Sequence, residues 1–205
     1  MTKAFFFDNS RCTGCRTCQL ACKDYHDLSI DQTYRKVYDM ESGACSMDER
    51  GVVTHTCKLY HVAIGCNHCE DPACTKVCPT GAMEKDPETG LVSVDGDKCL
   101  GCGYCVMACP YGAPTLDKTV GHTIKCDGCK NRVAEGKKPI CVEACPLRAL
   151  DFGEVEEMKA RGESHDIDPL PSSSYTKPSL YIRMSPDAKS SQAADSRIAN
   201  PLEVF

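Results

Sequence analysis

Apolar residues along this chain come in short bursts and not in long helical stripes. Residues 4–7, Ala-Phe-Phe-Phe, are a compact apolar run closed by Asp8, which predicts an opening strand. Residues 34–38, Tyr-Arg-Lys-Val-Tyr, predict a second strand that leads into a polar, glycine-containing stretch, and a further apolar stretch covers residues 59–64. Leu91-Val92-Ser93-Val94 predicts a hairpin strand, set off by the turn Asp86-Pro87-Glu88-Thr89-Gly90 from residues 80–83, which read as a helix stub. Residues 130–140 read as a basic loop or short helix, residues 154–163 as a polar helix and residues 168–174 as a Pro- and Ser-rich linker. Beyond Leu180-Tyr181-Ile182 the tail from Ser185 is polar and low in aromatics, which predicts a segment poorly ordered alone that wraps a partner.

Cysteine spacing decides what these elements carry. Of eighteen cysteines, sixteen fall into four sets of four: Cys12, Cys15, Cys18, Cys22; Cys66, Cys69, Cys74, Cys78; Cys99, Cys102, Cys105, Cys109; and Cys126, Cys129, Cys141, Cys145. The third set reads Cys99-Leu-Gly-Cys102-Gly-Tyr-Cys105-Val-Met-Ala-Cys109-Pro110, the ligand run of a bacterial-type ferredoxin. Its first three thiolates reach one iron-sulfur cube while Gly101 and Gly103 let the main chain come close. Cys105 and Cys109 are one helical turn apart, roughly 5–6 Å along one face, so Cys109 overshoots and ligates a neighbouring cube. Pro110 ends the turn. The first run repeats the device with Gly14 but has Lys23 after Cys22 in place of proline, so its helix continues toward Tyr25 and His26. In the second run Asp71-Pro72 turns to absorb two extra residues, and His68 reads as a loop residue, imidazole being unusual on a low-potential cluster. The fourth set is split, with Cys141 and Cys145 again one turn apart.

Composition narrows the alternatives. A disulfide scaffold does not suit cysteines packed at such short spacing, and structural zinc would leave the third and fourth cysteines of each run unexplained. Cys45 reads as a free, incidental thiol and Cys57 as a small buried hydrophobe. The formal net charge of −5 argues against nucleic acid as a partner, and no apolar run is long enough to cross a bilayer. The first eight residues are too short for a signal peptide. With no Trp the purely apolar core is thin, so clusters serve as cores and the metal-free chain is expected to be largely unfolded.

Leu147-Arg148-Ala149-Leu150 follows its Cys-Pro as residues 80–83 follow theirs, which exposes an internal repeat. The fold class is therefore α+β: two nested two-cluster ferredoxin-like units with an irregular C-terminal tail. Residues 1–60 and 114–153 form the outer unit, residues 61–113 the inner one, and residues 154–205 an extension that contacts partners. Because each fourth cysteine crosses over, reciprocal pairing assigns Cys12, Cys15, Cys18 and Cys145 to cluster 1 and Cys66, Cys69, Cys74 and Cys109 to cluster 2. Cluster 3 takes Cys99, Cys102, Cys105 and Cys78, and cluster 4 takes Cys126, Cys129, Cys141 and Cys22. Four 4Fe-4S clusters, about sixteen irons, follow from four thiolates per cube. Arg16, Lys98 and Lys125 lie near ligands and read as solvated surface charge.

Longer blocks go beyond generic ferredoxin. Arg11-Cys-Thr-Gly-Cys, Cys66-Asn-His-Cys-Glu-Asp-Pro-Ala-Cys-Thr-Lys-Val-Cys-Pro-Thr-Gly-Ala, Ala108-Cys-Pro-Tyr-Gly-Ala-Pro, Lys125-Cys-Asp-Gly-Cys and residues 134–153 closely resemble the iron-sulfur (beta) subunit of the dimethyl sulfoxide reductase family of molybdopterin oxidoreductases. The resemblance implies a non-catalytic wire between a membrane anchor that oxidises menaquinol and a molybdopterin catalytic subunit that reduces dimethyl sulfoxide or a similar S- or N-oxide. It places cluster 3 nearest the quinol and cluster 1 nearest the catalytic subunit. Nitrate-reductase-like relatives carry a non-cysteine residue at the position of Cys102, so Cys102 points to the dimethyl sulfoxide reductase branch. Export together with a catalytic subunit bearing a twin-arginine signal would put the chain on the periplasmic face, with the cytoplasmic face as the alternative. A cytosolic polyferredoxin, or the electron-transfer subunit of a hydrogenase or formate dehydrogenase complex, is the competing reading.

Overall fold

The structure, a computed structural model, describes residues 1–191 and 196–204. The chain opens with β1 (Lys3–Asp8) and α1 (Thr17–Tyr25), then builds a long hairpin from β2 (Lys36–Ser42), β3 (Cys45–Met47), β4 (Val53–His55) and β5 (Lys58–Ile64). A middle section follows with α2 (Ala73–Lys76), β6 (Met83–Lys85), β7 (Val92–Val94), α3 (Tyr104–Ala108), β8 (Thr115–Asp117) and β9 (His122–Ile124). The rest comprises α4 (Lys130–Ala134), α5 (Ile140–Glu143), β10 (Leu150–Glu154), α6 (Val155–Arg161), β11 (Leu180–Arg183), β12 (Ser196–Ile198) and α7 (Pro201–Val204).

β1 is the middle strand of one sheet, antiparallel to β10 and parallel to β11. That position explains why residues 4–7 are apolar without alternation, since both faces of the strand are covered. Phe5 and Phe7 enter the main core with Phe152, Leu150, Leu180 and Ile182, while Ala4 and Phe6 pack with Met158 of α6 on the other face. A second sheet, in the order β12-β2-β5, closes the main core with Val37, Met40, Tyr60 and Val62. The apolar core is thus more substantial than composition suggests. The thin one lies in the middle section, where Cys74, Met83, Val92 and Cys105 are the buried members.

Two expectations of local structure need correction. Residues 80–83 do not form a helix stub: the chain turns at Thr80-Gly81, and Met83 opens β6, held in register opposite Val94. The tail is irregular only in part. Residues 184–191 form neither helix nor strand, but β11 just before them completes the first sheet, Ile198 of β12 lies opposite Met40, and Val204 of α7 is buried in the main core. Periodicity in the tail is too short to reveal elements held by long-range strand pairing. Four residues of that tail, 192–195, and residue 205 lie outside the described residues.

Of the one-turn cysteine pairs, Cys18 and Cys22 both sit on a helix, whereas in the other three the first cysteine (Cys74, Cys105, Cys141) is helical and the second (Cys78, Cys109, Cys145) follows the helix end; α1 packs against α5 and α2 against α3. Cys18 and Cys22 thereby meet the fourth run, and Cys74 meets the third. The helix of the first run continues to Tyr25 as its lack of proline predicts.

Candidate metal centres

Each cluster-binding loop bends the same way at the residue before its second cysteine. Gly14 (φ 66°), His68 (φ 44°), Gly101 (φ 65°) and Gly128 (φ 73°) all take left-handed backbone. Glycine does this without strain, and at Gly101 a Cβ would lie 2.5 Å from the carbonyl oxygen of Gly121. His68 holds the same conformation with a full side chain, which marks it as a position maintained by its surroundings.

The turns gather thiols around shared space. Cys12, Cys15, Cys18 and Cys145 line a small chamber of about 20 Å³, together with Phe7, Val37 and Leu150. Cys78, Cys99, Cys102 and Cys105 line a second, about 10 Å³, with Met83, Val94 and Thr123. Among the remaining eight, Cys74 and Cys69 feel Cys66 and Cys109, and Cys22 feels Cys141 and Cys129; Cys126 feels Cys66 as well as Cys22 and Cys141, so thiols of neighbouring runs also lie close to one another.

Backbone amides reach the sulfurs. Ala149 N–H donates to Cys145 Sγ at 3.3 Å, Met83 to Cys78 at 3.4 Å, Gly128 to Cys126 at 3.4 Å, and His68 and Thr123 to Cys66 and Cys99 at 3.5 Å. Such bonds stabilise charge on sulfur. Asn67, between Cys66 and Cys69, buries its side-chain Nδ2 with no acceptor among the described residues. No two of the eighteen cysteines are bridged. Quartets of free thiols around a chamber, with amides aimed at the sulfurs and a spare buried donor, fit iron-sulfur cubes in chemistry and number of donors.

Burial acts against thiolate formation in the protein alone. It pushes Cys12, Cys69 and Cys129 up to about 11, and Cys22 and Cys74 up to about 12. Exposed Cys15 is lowered instead, by hydrogen bonding to Thr17. Metal loading must therefore drive protons off the buried set, which couples assembly to folding.

Three buried groups surround these thiols. Arg35 is buried; desolvation opposes its charge, but Cys141, Cys18, Cys22 and Cys126 outweigh it and hold the guanidinium charged, while Nη1 donates to the Ala63 carbonyl at 3.0 Å. Lys125 is not solvated surface charge but 3% exposed, its ammonium donating to the carbonyls of Val92 and Cys126. His68 is a loop residue, and a buried one: it is 1% exposed and stacked on Phe5. Its Nδ1 accepts the Val92 amide at 2.9 Å, so the neutral ring carries its proton on Nε2, 3.7 Å from Cys126 Sγ. Burial, then the charges of Lys125 and Lys85, keep that imidazole neutral. The signal for His68 was the glycine missing from one loop of four.

Arg16 and Lys98 are ion-paired at the surface, with Asp39 and Glu203 and with Asp95 respectively. Cys57 is exposed, not a buried hydrophobe, and Cys45 is not isolated: the two sulfurs are 3.4 Å apart.

Paired cysteine quartets on a ferredoxin-type scaffold define the class: an iron-sulfur electron-transfer protein. The family described as a 4Fe-4S dicluster domain matches residues 57–155, and that described as a 4Fe-4S binding domain matches residues 9–25. The B subunit of anaerobic dimethyl sulfoxide reductase from Escherichia coli (strain K12) is 55% identical over 203 residues, 98% of this chain and 97% of that protein. Its namesake from Haemophilus influenzae is 48% identical over 201 residues, 98% of each. The formate dehydrogenase iron-sulfur subunit of Haemophilus influenzae is 34% identical over 186 residues, 87% of this chain and 59% of that protein. The protein belongs to the family of iron-sulfur subunits represented by the B subunit of dimethyl sulfoxide reductase, and its role is electron transfer, not catalysis.

Proposed function

We propose that this chain carries four 4Fe-4S clusters and relays electrons from a quinol-oxidising membrane anchor to a molybdopterin catalytic subunit that reduces dimethyl sulfoxide or a similar S- or N-oxide. Cys12, Cys15, Cys18 and Cys145 would hold cluster 1; Cys66, Cys69, Cys74 and Cys109 cluster 2; Cys99, Cys102, Cys105 and Cys78 cluster 3; Cys126, Cys129, Cys141 and Cys22 cluster 4. Each cluster, when bound, supplies one-electron transfer.

The observation that carries this reading is the continuity of the quartets. Cys18 of the first set feels Cys141 of the fourth, and Cys126 of the fourth feels Cys66 of the second. Cys74 of the second and Cys105 of the third share one small core. The order is therefore 1, 4, 2, 3, with the outer unit at one end and the inner unit at the other. Apolar residues stand exposed at both ends: Leu100 (73%) and Met107 (75%) beside the third run, Leu20 (68%) and Leu147 (40%) beside the first. Such patches suit permanent neighbours. Among the described residues no helix is long and apolar enough to cross a membrane, so attachment would come through the anchor, on the periplasmic face if the complex is exported whole.

An iron and sulfide count on the purified complex, joined to EPR during a redox titration, tests this. About sixteen irons in this chain, four per cube, with interacting signals at several potentials is the expected result; about eight would overturn it. A relay serving a formate dehydrogenase is the rival reading, favoured by the 34% likeness, and co-purification of the catalytic subunit with its oxide-reducing or formate-oxidising activity separates the two.

A further inference from the structure

β2 and β5 pair as far as Ser42 opposite Lys58, and the same register resumes in the outer ribbon with Cys45 opposite His55. Between them the ladder is interrupted: Gly43 takes φ 85°, and a Cβ there would lie 2.3 Å from the Thr56 carbonyl oxygen. The base of the hairpin belongs to the buried second sheet, whereas β3 and β4 are exposed along their whole length. Cys45, the first residue of β3, and Cys57, between β4 and β5, flank this joint on opposite arms of the hairpin. Both are exposed, neither belongs to a cluster run, and their sulfurs are 3.4 Å apart.

The geometry points to a redox-active dithiol at Cys45 and Cys57 that exchanges with an external disulfide and fastens the joint between the hairpin's buried base and its exposed tip. A disulfide needs sulfurs about 2.05 Å apart, a closure of roughly 1.4 Å that exposed side chains reach by χ rotation. One thiolate attacks the external disulfide, forming a mixed disulfide and expelling one thiolate. The second cysteine then attacks the protein sulfur of that bond, closing Cys45–Cys57 and expelling the other. Two protein thiols lose two electrons and two protons, and the external disulfide becomes two thiols. The hydrogen bond shared with Cys45 pushes the Cys57 thiol up, and either sulfur can open the exchange, the other closing it.

The test treats the purified complex with oxidised glutathione under strict anaerobiosis, blocks remaining thiols by alkylation and maps peptides without reduction. In the wild type a peptide joining Cys45 to Cys57, lighter by two hydrogens, is expected with no loss of iron. In C57S, Cys45 should accumulate a glutathione adduct at least tenfold above its wild-type level, because the resolving thiol is gone. Equal adduct levels in both proteins, or two separately alkylated cysteines in wild type with the iron count intact, would overturn the proposal. Because the readout is local mass at exposed residues, it does not depend on how many clusters the chain holds.

Discussion

The Nε2–H of His68 points at Cys126 Sγ across 3.7 Å, so a loop of the second cysteine run donates to a sulfur of the fourth. The bond crosses between two proposed clusters, and hydrogen bonds to sulfur raise cluster potentials. Replacing His68 by Gly restores the backbone preference of the other three loops while deleting the donor. One midpoint potential in an EPR titration should then fall by on the order of 50 mV, the one-electron equivalent of about 1 kcal/mol of hydrogen bond. Unchanged potentials at full iron content would remove His68 from the tuning of the wire.

Arg35 has no solvent to fall back on. It balances thiolates of the first and fourth runs from within the core, and removing one partner of a buried charged set costs about 3–5 kcal/mol. Arg35→Met should lower stability by that order and deplete iron, with the surviving signals shifted to lower potential. Arg35→Lys should recover part of both, measured by thermal unfolding and iron assay together.

Iron removal should not unfold the chain evenly. Around Phe5, Phe7, Val62 and Phe152 the main core is apolar in its own right, whereas the core around Cys74, Met83 and Val92 is small and half cysteine. Anaerobic chelation should raise amide hydrogen exchange first across residues 66–113 and later in β1 and β5. Simultaneous loss in both regions would show the whole chain to be one metal-dependent unit.

Asp151 joins β10 to α6 and to the loop before α5, bonding Arg161 and Lys138, the latter at 2.5 Å. Burial alone would push its carboxyl up, but the two cations hold it below the usual carboxylate range. Its stabilising effect is thus complete above the unfolded carboxylate pKa of about 3.9 and is lost as pH falls through the depressed folded value. Asp151→Asn should cost about 1 kcal/mol at neutral pH, solvent screening included, and should flatten the acid limb of stability measured by denaturant titration.

What could be read from the sequence was what repeats locally. Four cysteine runs, their cysteine pairs four residues apart and the apolar strand at residues 4–7 all announce themselves within about twenty residues. The rest depends on pairing across distance. Cys45 finds Cys57 only through a hairpin register that neither cysteine encodes, and Lys125 looks like surface charge until β7 offers its Val92 carbonyl. β11 and β12 are too short to show a period, and they exist because β1 and β2 have free edges for them. His68 was within reach, since it stands where three sibling loops keep glycine.

β1 also sets a timetable. Its two neighbours begin at Leu150 and Leu180, so at translation speeds of 5–20 residues per second the triplet Phe5-Phe6-Phe7 emerges roughly nine to thirty-five seconds before its last partner strand exists. For most of that interval an apolar strand hangs from the ribosome with both edges open, and with one still open after β10 is made. A nascent chain of this kind needs shielding until its C-terminal third is made, and truncation before residue 180 should leave an aggregate and not a smaller working wire.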